Sequence, residues 1–313
     1  MFTYEGSRAL ITGASKGLGV TFAEELARRG ADLVLIARSK DALQAVAARL
    51  TAQYGVKCYV IAADLADPKT IDDIHAELTE HGLPVDLLIN NAGLGLSGGF
   101  LDHDHAKEQA SIQVNVQALV GLSHRFGKAM AARGRGGIIN IASNSAFQPL
   151  PYMATYAASK AFVLHFGEAL QHELSDTGVR VMTACPGPTA TSFFEGTPTT
   201  MSDRSFDTPE SVVRGILRAF DQGKAVAYPG RSSVRFATWL PRLLPRSLIV
   251  RLAAMATEKM GLASTKADLQ RVAVNGGQGR PHAGQDAASR WSPANLLSRS
   301  TMASRNSRTR VGS

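Results

Sequence analysis

The 313-residue sequence predicts a doubly wound α/β domain: a parallel sheet of about seven strands, helices on both faces, and a C-terminal extension. Three observations carry this. Short apolar runs without internal alternation recur between amphipathic stretches, as expected of strands buried on both faces. A glycine cluster joins the first run to the first amphipathic stretch. The pattern stops near residue 230, where a different composition begins.

In order, Arg8 to Thr12 reads as the first strand, TGASKGLG as a glycine turn, and Val20 to Arg29 as a helix stopped by Gly30. Asp32 to Ala37 is a second strand, Asp41 to Tyr54 a helix, Lys57 to Ala62 a third strand and Pro68 to Glu80 a helix. Val85 to Ile89 follows as a strand, then a long helix from Asp104 to Ala132 with a break expected near Gly121, then a strand from Ile138 to Ala142. A helix over Tyr152 to Leu174, a strand over Val179 to Ala184, a helix over Thr208 to Asp221 and a strand at Ala225 to Tyr228 complete the domain, 1–230. Residues 231–260 mix Phe236, Trp239 and several leucines with Arg235, Arg242, Arg246 and Arg251, and read as an amphipathic basic extension. Residues 261–313 are rich in Ser, Gly, Asn and Arg and are expected to be disordered, having too little apolar surface to offset their ordering entropy.

Composition narrows the function classes. No uncharged apolar run of about 18 residues occurs, and the N-terminus reaches its first strand without a signal-peptide core, so a cytoplasmic protein is expected. Cys58 and Cys185 lack metal-ligand spacing and read as reduced thiols. The net charge of +8 belongs to the tail: Gly261 to Ser313 holds eight Lys/Arg against two Asp/Glu, which leaves +2 for residues 1–260. With Trp291 as the tail's single aromatic residue, there is no stacking platform for nucleic acid.

The chemistry concentrates between Gly136 and Phe166. Tyr156 and Lys160 lie four residues apart in a helical pattern, so their side chains share one face. A phenol has an ordinary pKa near ~10, and an adjacent ammonium is expected to lower it towards use as an acid or base. Ser143 follows the fifth strand, where its hydroxyl could bond the same substrate oxygen. The sequence shows no convincing metal site. His103 and His105 flank Asp104 at a helix start, where Asp102 or Asp104 serves as a cap. His165 and His172 read as core-edge or interface residues.

The glycine turn suits a dinucleotide. Gly13, Gly17 and Gly19, with Ser15, Lys16 and Leu18 between them, permit close backbone approach to a pyrophosphate at a helix N-terminus. The second strand ends in Ala37 and Arg38 instead of an acidic residue. Arg38, aided by Ser15 and Lys16, is suited to a 2′-phosphate, which predicts NADP(H) over NAD(H). Asp64 is placed to accept from an adenine amino group with Leu65 beside it, and Asn91, Ala92 and Gly93 close the fourth strand at the crevice.

TGASKGLG, NNAG, a serine thirteen residues before tyrosine, YAASK and Pro186-Gly187, in this order, resemble the short-chain dehydrogenase/reductase family over roughly residues 5 to 230. The resemblance implies a Rossmann-type fold and hydride exchange with a nicotinamide. It implies Tyr156 as acid/base, Lys160 lowering its pKa and binding the nicotinamide ribose, and Ser143 orienting a carbonyl. It further implies Asn115 holding a water that links Lys160 to solvent, and Pro186, Gly187, Thr189 and Thr191 around the carboxamide. Spacing favours Ser143, with Ser145 as the alternative hydroxyl. A homodimer or homotetramer paired through the long helices is also implied.

The segments expected near the nicotinamide offer Leu94, Leu96, Phe100, Phe147, Leu150, Phe193 and Phe194, which suggests an apolar ketone, aldehyde or matching secondary alcohol, fatty-acyl or steroid-like in kind. The extension 231–260 reads either as a lid or membrane-surface contact, or as a segment packed on the domain with snorkelling arginines, the reading favoured. A non-catalytic dinucleotide-binding redox regulator is the competing function, although it would have no need of Tyr156, Lys160, Ser143 and Asn115 together.

Overall fold

The computed structural model describes residues 2–191, 193, 206–231, 235–236, 238–239, 241 and 243–263. Seven parallel strands stand in the order β3-β2-β1-β4-β5-β6-β7. They are β1 Arg8–Thr12, β2 Asp32–Ala37, β3 Cys58–Ala62, β4 Leu87–Asn90, β5 Gly136–Ile141, β6 Val179–Ala184 and β7 Val226–Ala227. Among the described residues the bounded α-helices are α1 Gly17–Arg28, α2 Lys40–Tyr54, α3 Thr70–Glu80, α4 His105–Ile112, α5 Leu119–Ala132, α6 Ala154–Glu173, α7 Pro209–Asp221 and α8 Arg246–Lys259.

The unalternated apolar runs divide residue by residue between the two faces. Ala9, Ile11, Leu33, Leu35, Leu87 and Ile89 join the core beneath α1, α2 and α7, while Leu10, Val34, Ile36 and Leu88 join the core beneath α3 and α5. A period of two thus splits each run into two buried sets, which is why no polar alternation marked these strands. The order reverses between β1 and β4, and ligands bind at the carboxyl ends of strands beside such a switch point.

Several boundaries differ from the sequence-based expectation. The first helix begins at Gly17, three residues early, so the glycine turn itself supplies its first turn. The fifth strand begins at Gly136 because Gly136 packs against Met130 and Gly137 against Phe220, which left no apolar side chains to read. The long helix has no break at Gly121, which instead lets Ile71 of α3 approach closely. Its irregularity is a π-helical segment, Gln113–Ala118, containing Asn115. The sixth helix starts at Ala154 because Tyr152 adopts φ 66°, a left-handed conformation that a helix cannot include.

The extension packs through Ile249, Ala253 and Thr257, spaced as one stripe of α8, and through Leu262, all buried. Tyr152 Oη donates to Glu258 Oε1 at 2.8 Å, tying α8 to the entry of α6. Beyond 263, the expected tail lies outside the described residues.

Candidate active site

The ends of β1 and β4 are stitched by a residue the motif reading passed over. The Thr12 hydroxyl accepts from the backbone N–H groups of Asn91 (3.0 Å) and Ala92 (2.9 Å), and the Asn91 amide donates to the Thr12 carbonyl at 2.8 Å. Asn91 therefore acts through its side chain on the glycine turn. Gly13 has φ 67°, and a Cβ there would press on Asn91 and Ala92; a Cβ at Gly19 would collide with the Gly13 carbonyl oxygen. A Cβ at Gly17 would lie 3.2 Å from Thr191, so the segment after β6 crosses the turn. Lys16, exposed, precedes α1 without a side-chain cap, leaving the helix's N–H groups for an anion.

Arg38 is exposed at the end of β2 and makes no ion pair among the described residues. Asp64, also exposed, accepts from the Ala66 N–H at 3.0 Å through Oδ1, while Leu65 is buried. On the opposite side, the Pro186 carbonyl accepts from Asn144 N–H at 2.9 Å, and Thr189 Oγ1 donates to the Gly187 carbonyl at 3.0 Å. An uncapped helix end, a cradle only glycine fits and an available guanidinium make a donor set that fits a phosphorylated dinucleotide.

Ser143, two residues past the end of β5, caps a 3-10 turn, Asn144–Phe147, by accepting from Ser145 N–H at 3.1 Å. Its hydroxyl donates to Asn144 Oδ1 at 3.2 Å and stands near enough to the Tyr156 phenol to lower its pKa. Ser145, in contrast, has a buried hydroxyl with no partner among the described residues. Tyr156 and Lys160 stand one turn apart on α6 as the spacing predicts.

Their electrostatics differ from the expectation. Burial pushes the Tyr156 phenol up to about 12, opposed by the Ser143 hydrogen bond, and pushes the Lys160 ammonium down to about 8, opposed by the nearby Cys185. Lys160 Nζ donates to the Ile141 carbonyl at 2.8 Å and lies 5.8 Å from the Tyr156 ring centroid. Desolvation, which sequence spacing cannot register, is the largest cause acting on both groups.

Asn115 lies beside Lys160: a Cβ at Gly93 would sit 3.4 Å from both Asn115 Oδ1 and Lys160 Nζ. The Asn115 side chain clamps the loop after β4, accepting from Leu94 N–H at 2.8 Å and donating to the Leu94 carbonyl at 2.8 Å and to Ser159 Oγ at 3.0 Å. Its amide donors are thus occupied. Ser159, also unassigned by the motif reading, donates to the Tyr156 carbonyl at 2.7 Å and completes this lattice. Its place in YAASK, directly before Lys160, was the available signal.

Of the apolar residues expected at the substrate side, Phe193 meets the acid/base candidate, with ring centroids 5.3 Å apart from Tyr156. Leu94 packs against the core and Phe147 against Tyr228, whereas Phe100 is exposed and Leu96 and Leu150 are half-buried. Phe194 lies outside the described residues. Asp104 is the residue that caps α4, accepting from Ala106 N–H at 2.9 Å, while His103 bonds Glu108 at 2.6 Å.

Residues 7–202 match the family described as short chain dehydrogenase. A very-long-chain 3-oxoacyl-CoA reductase of Anas platyrhynchos is 34% identical over 261 residues, spanning 81% of this chain and 80% of that protein. A short-chain dehydrogenase from Sphingobium yanoikuyae in complex with NADPH superposes with TM-score 0.68 at 31% identity, covering 89% of this chain and 99% of that one. The bulky-bulky ketone specific alcohol dehydrogenase from Comamonas testosteroni superposes with TM-score 0.66 at 30% identity, covering 89% and 97%. The ordered motifs, the sheet order and a match over more than half the chain lead to one conclusion: the protein belongs to the short chain dehydrogenase family and is an oxidoreductase of the carbonyl/alcohol class.

Proposed function

We propose that the protein is an NADP(H)-dependent carbonyl reductase/alcohol dehydrogenase whose substrate is a bulky, hydrophobic ketone or aldehyde, fatty-acyl or steroid-like in kind, or the matching alcohol. The observation that carries this reading is the buried Tyr156 phenol one helical turn from the buried Lys160, with the Ser143 hydroxyl near enough to lower the phenol's pKa. The cofactor preference is supported by Arg38, exposed beyond the end of β2 and without an ion pair among the described residues, and by similarity to a protein solved with NADPH. Substrate class is supported by the Phe193 ring against Tyr156 and by similarity to enzymes named for 3-oxoacyl-CoA and bulky ketones.

Gly13 to Gly19 and the α1 N-terminus would hold the pyrophosphate, with Arg38, Ser15 and Lys16 at the 2′-phosphate. Asp64 and Leu65 would flank the adenine, and Asn91 to Gly93 the crevice floor. Lys160 would hold the nicotinamide ribose, and Pro186, Gly187, Thr189 and Thr191 the carboxamide. When bound, NADP(H) supplies or accepts the hydride. The chain's own residues manage the oxygen: Ser143 donates to the carbonyl, and Tyr156 transfers a proton at Oη. A phenol held near 12 keeps its proton at neutral pH, which suits donation in the reductive direction. Asn115 and Ser159 tie the Tyr156 backbone to the loop at Leu94.

A homodimer or homotetramer belongs to the same reading, supported by Phe162, exposed on α6 and stacked on Phe166 at 5.7 Å. Among the described residues no helix is long and apolar enough to cross a membrane. The deciding experiment is a panel of apolar and charged carbonyls with NADPH oxidation as readout, run beside Tyr156→Phe. Apolar ketones should turn over fastest, and the variant should lose about 10²- to 10⁴-fold in kcat. Preference for charged substrates, or an unimpaired variant, would refute the assignment.

A further inference from the structure

We propose that the outer face of α8 and the turn before it form a docking surface for an anionic lipid bilayer. This stands on surface chemistry alone and is independent of the catalytic reading. The buried stripe of α8, Ile249, Ala253 and Thr257, accounts for one side of the helix. Leu248, Leu252 and Met255, spaced four and three residues apart, form a second apolar stripe, and these residues are 41%, 39% and 57% exposed. An amphipathic helix that has already buried one apolar side has no intramolecular reason for another.

The segment ahead of α8 also carries exposed apolar side chains. Phe236 and Leu243 are more than three-quarters exposed, at 76% and 79%, and Trp239 is 53% exposed. Cations border the stripe. Arg251, three residues after Leu248, flanks the stripe, and Lys259, four after Met255, continues its line at the helix end; both are exposed. From 231 to 263 the chain has six Lys/Arg against a single acid, Glu258, whose carboxylate accepts from Tyr152.

Apolar side chains with an indole among them, edged by cations and lacking free acids, match the boundary layer of a membrane carrying negative headgroups. They match a second copy of the chain poorly, because an isologous contact would press this cationic face against itself. No spanning helix is required, since such a helix lies in the plane of the interface. The surface also adjoins the site: α8 is bonded to Tyr152, whose carbonyl accepts from Gly98 N–H at 3.0 Å in the loop after β4. An apolar substrate dissolved in lipid would thus meet the enzyme close to the loop on its substrate side.

The test uses the full chain with vesicles of phosphatidylcholine alone and of an equal mixture with phosphatidylglycerol. Co-sedimentation should occur with the mixed vesicles and not with phosphatidylcholine alone. Arg251→Glu with Lys259→Glu, and separately Leu252→Gln with Met255→Gln, should each lower partitioning roughly tenfold or more, the tail beyond 263 being unchanged. In a Trp291→Phe background, Trp239 emission should shift to the blue on adding mixed vesicles, a readout that leaves α8 unaltered. Variants that bind as the parent does would assign any binding to the basic tail and overturn the proposal. So would an unshifted Trp239, or a glutamine variant whose oligomeric mass falls without lipid, which would make the face a self-interface.

Discussion

Lys160 Nζ donates to the main-chain carbonyl of Ile141 at 2.8 Å, at the last residue of β5 and directly upstream of Ala142 and Ser143. The ammonium therefore fixes the strand end from which Ser143 reaches Tyr156, besides its proposed contact with the ribose. Its charge is held against burial, which lowers its pKa to about 8.

That shift sets a pH dependence. A lysine with a lowered folded pKa is charged below that value and neutral above it, so the free enzyme loses its cation as pH rises through about 8. The kcat/KM for NADPH, which reports the free enzyme, should be highest below this pH and fall above it. Lys160→Arg should remove the limb while lowering the plateau. A profile flat from neutral pH to beyond 9 would contradict the assignment, where ~9 is about one pH unit above the lysine's midpoint.

Arg38→Ala should raise the KM for NADPH by about ten- to a hundredfold, the worth of one or two charge-assisted hydrogen bonds. The KM for NADH should change little, because no 2′-phosphate is present to be gripped. Steady-state kinetics with both cofactors measures the ratio, and an equal effect on both would move the 2′-phosphate site elsewhere.

Gly19→Ala should abolish measurable dinucleotide binding, because its Cβ would collide with the Gly13 carbonyl and force the turn open. The stability cost should be about 2 kcal/mol or more, the size expected of overpacking against backbone. Calorimetric titration and thermal melts should report the two effects together.

The bond from Tyr152 to Glu258 is solvent-exposed, so Tyr152→Phe should lower global stability by less than roughly 1 kcal/mol. Its effect should be local. Amide exchange in α8 should quicken while the sheet is unaffected, and protection lost evenly across the domain would show that the bond has a larger role.

Much of this fold was legible because its signals are local. Apolar runs between helical stretches located the strands, TGASKGLG supplied the turn, and the four-residue spacing put Tyr156 and Lys160 on one face of α6. Other features depend on residues far apart in the chain. Thr12 reaches Asn91 and Ala92, Asn115 reaches Leu94 and Ser159, and Phe193 covers Tyr156. Gly136 and Gly137 open a strand since Met130 and Phe220 fill the space beside them.

The sequence alone determined the sheet, the cofactor turn and the identity of the acid/base candidates, since periodicity and spacing are properties of neighbouring residues. Tertiary structure decided their protonation and surroundings. Burial raises the phenol and lowers the ammonium, a π-helical segment turns Asn115 to the loop at Leu94, and α8 keeps a second apolar stripe in solvent. Desolvation and partner choice arise only when distant segments meet.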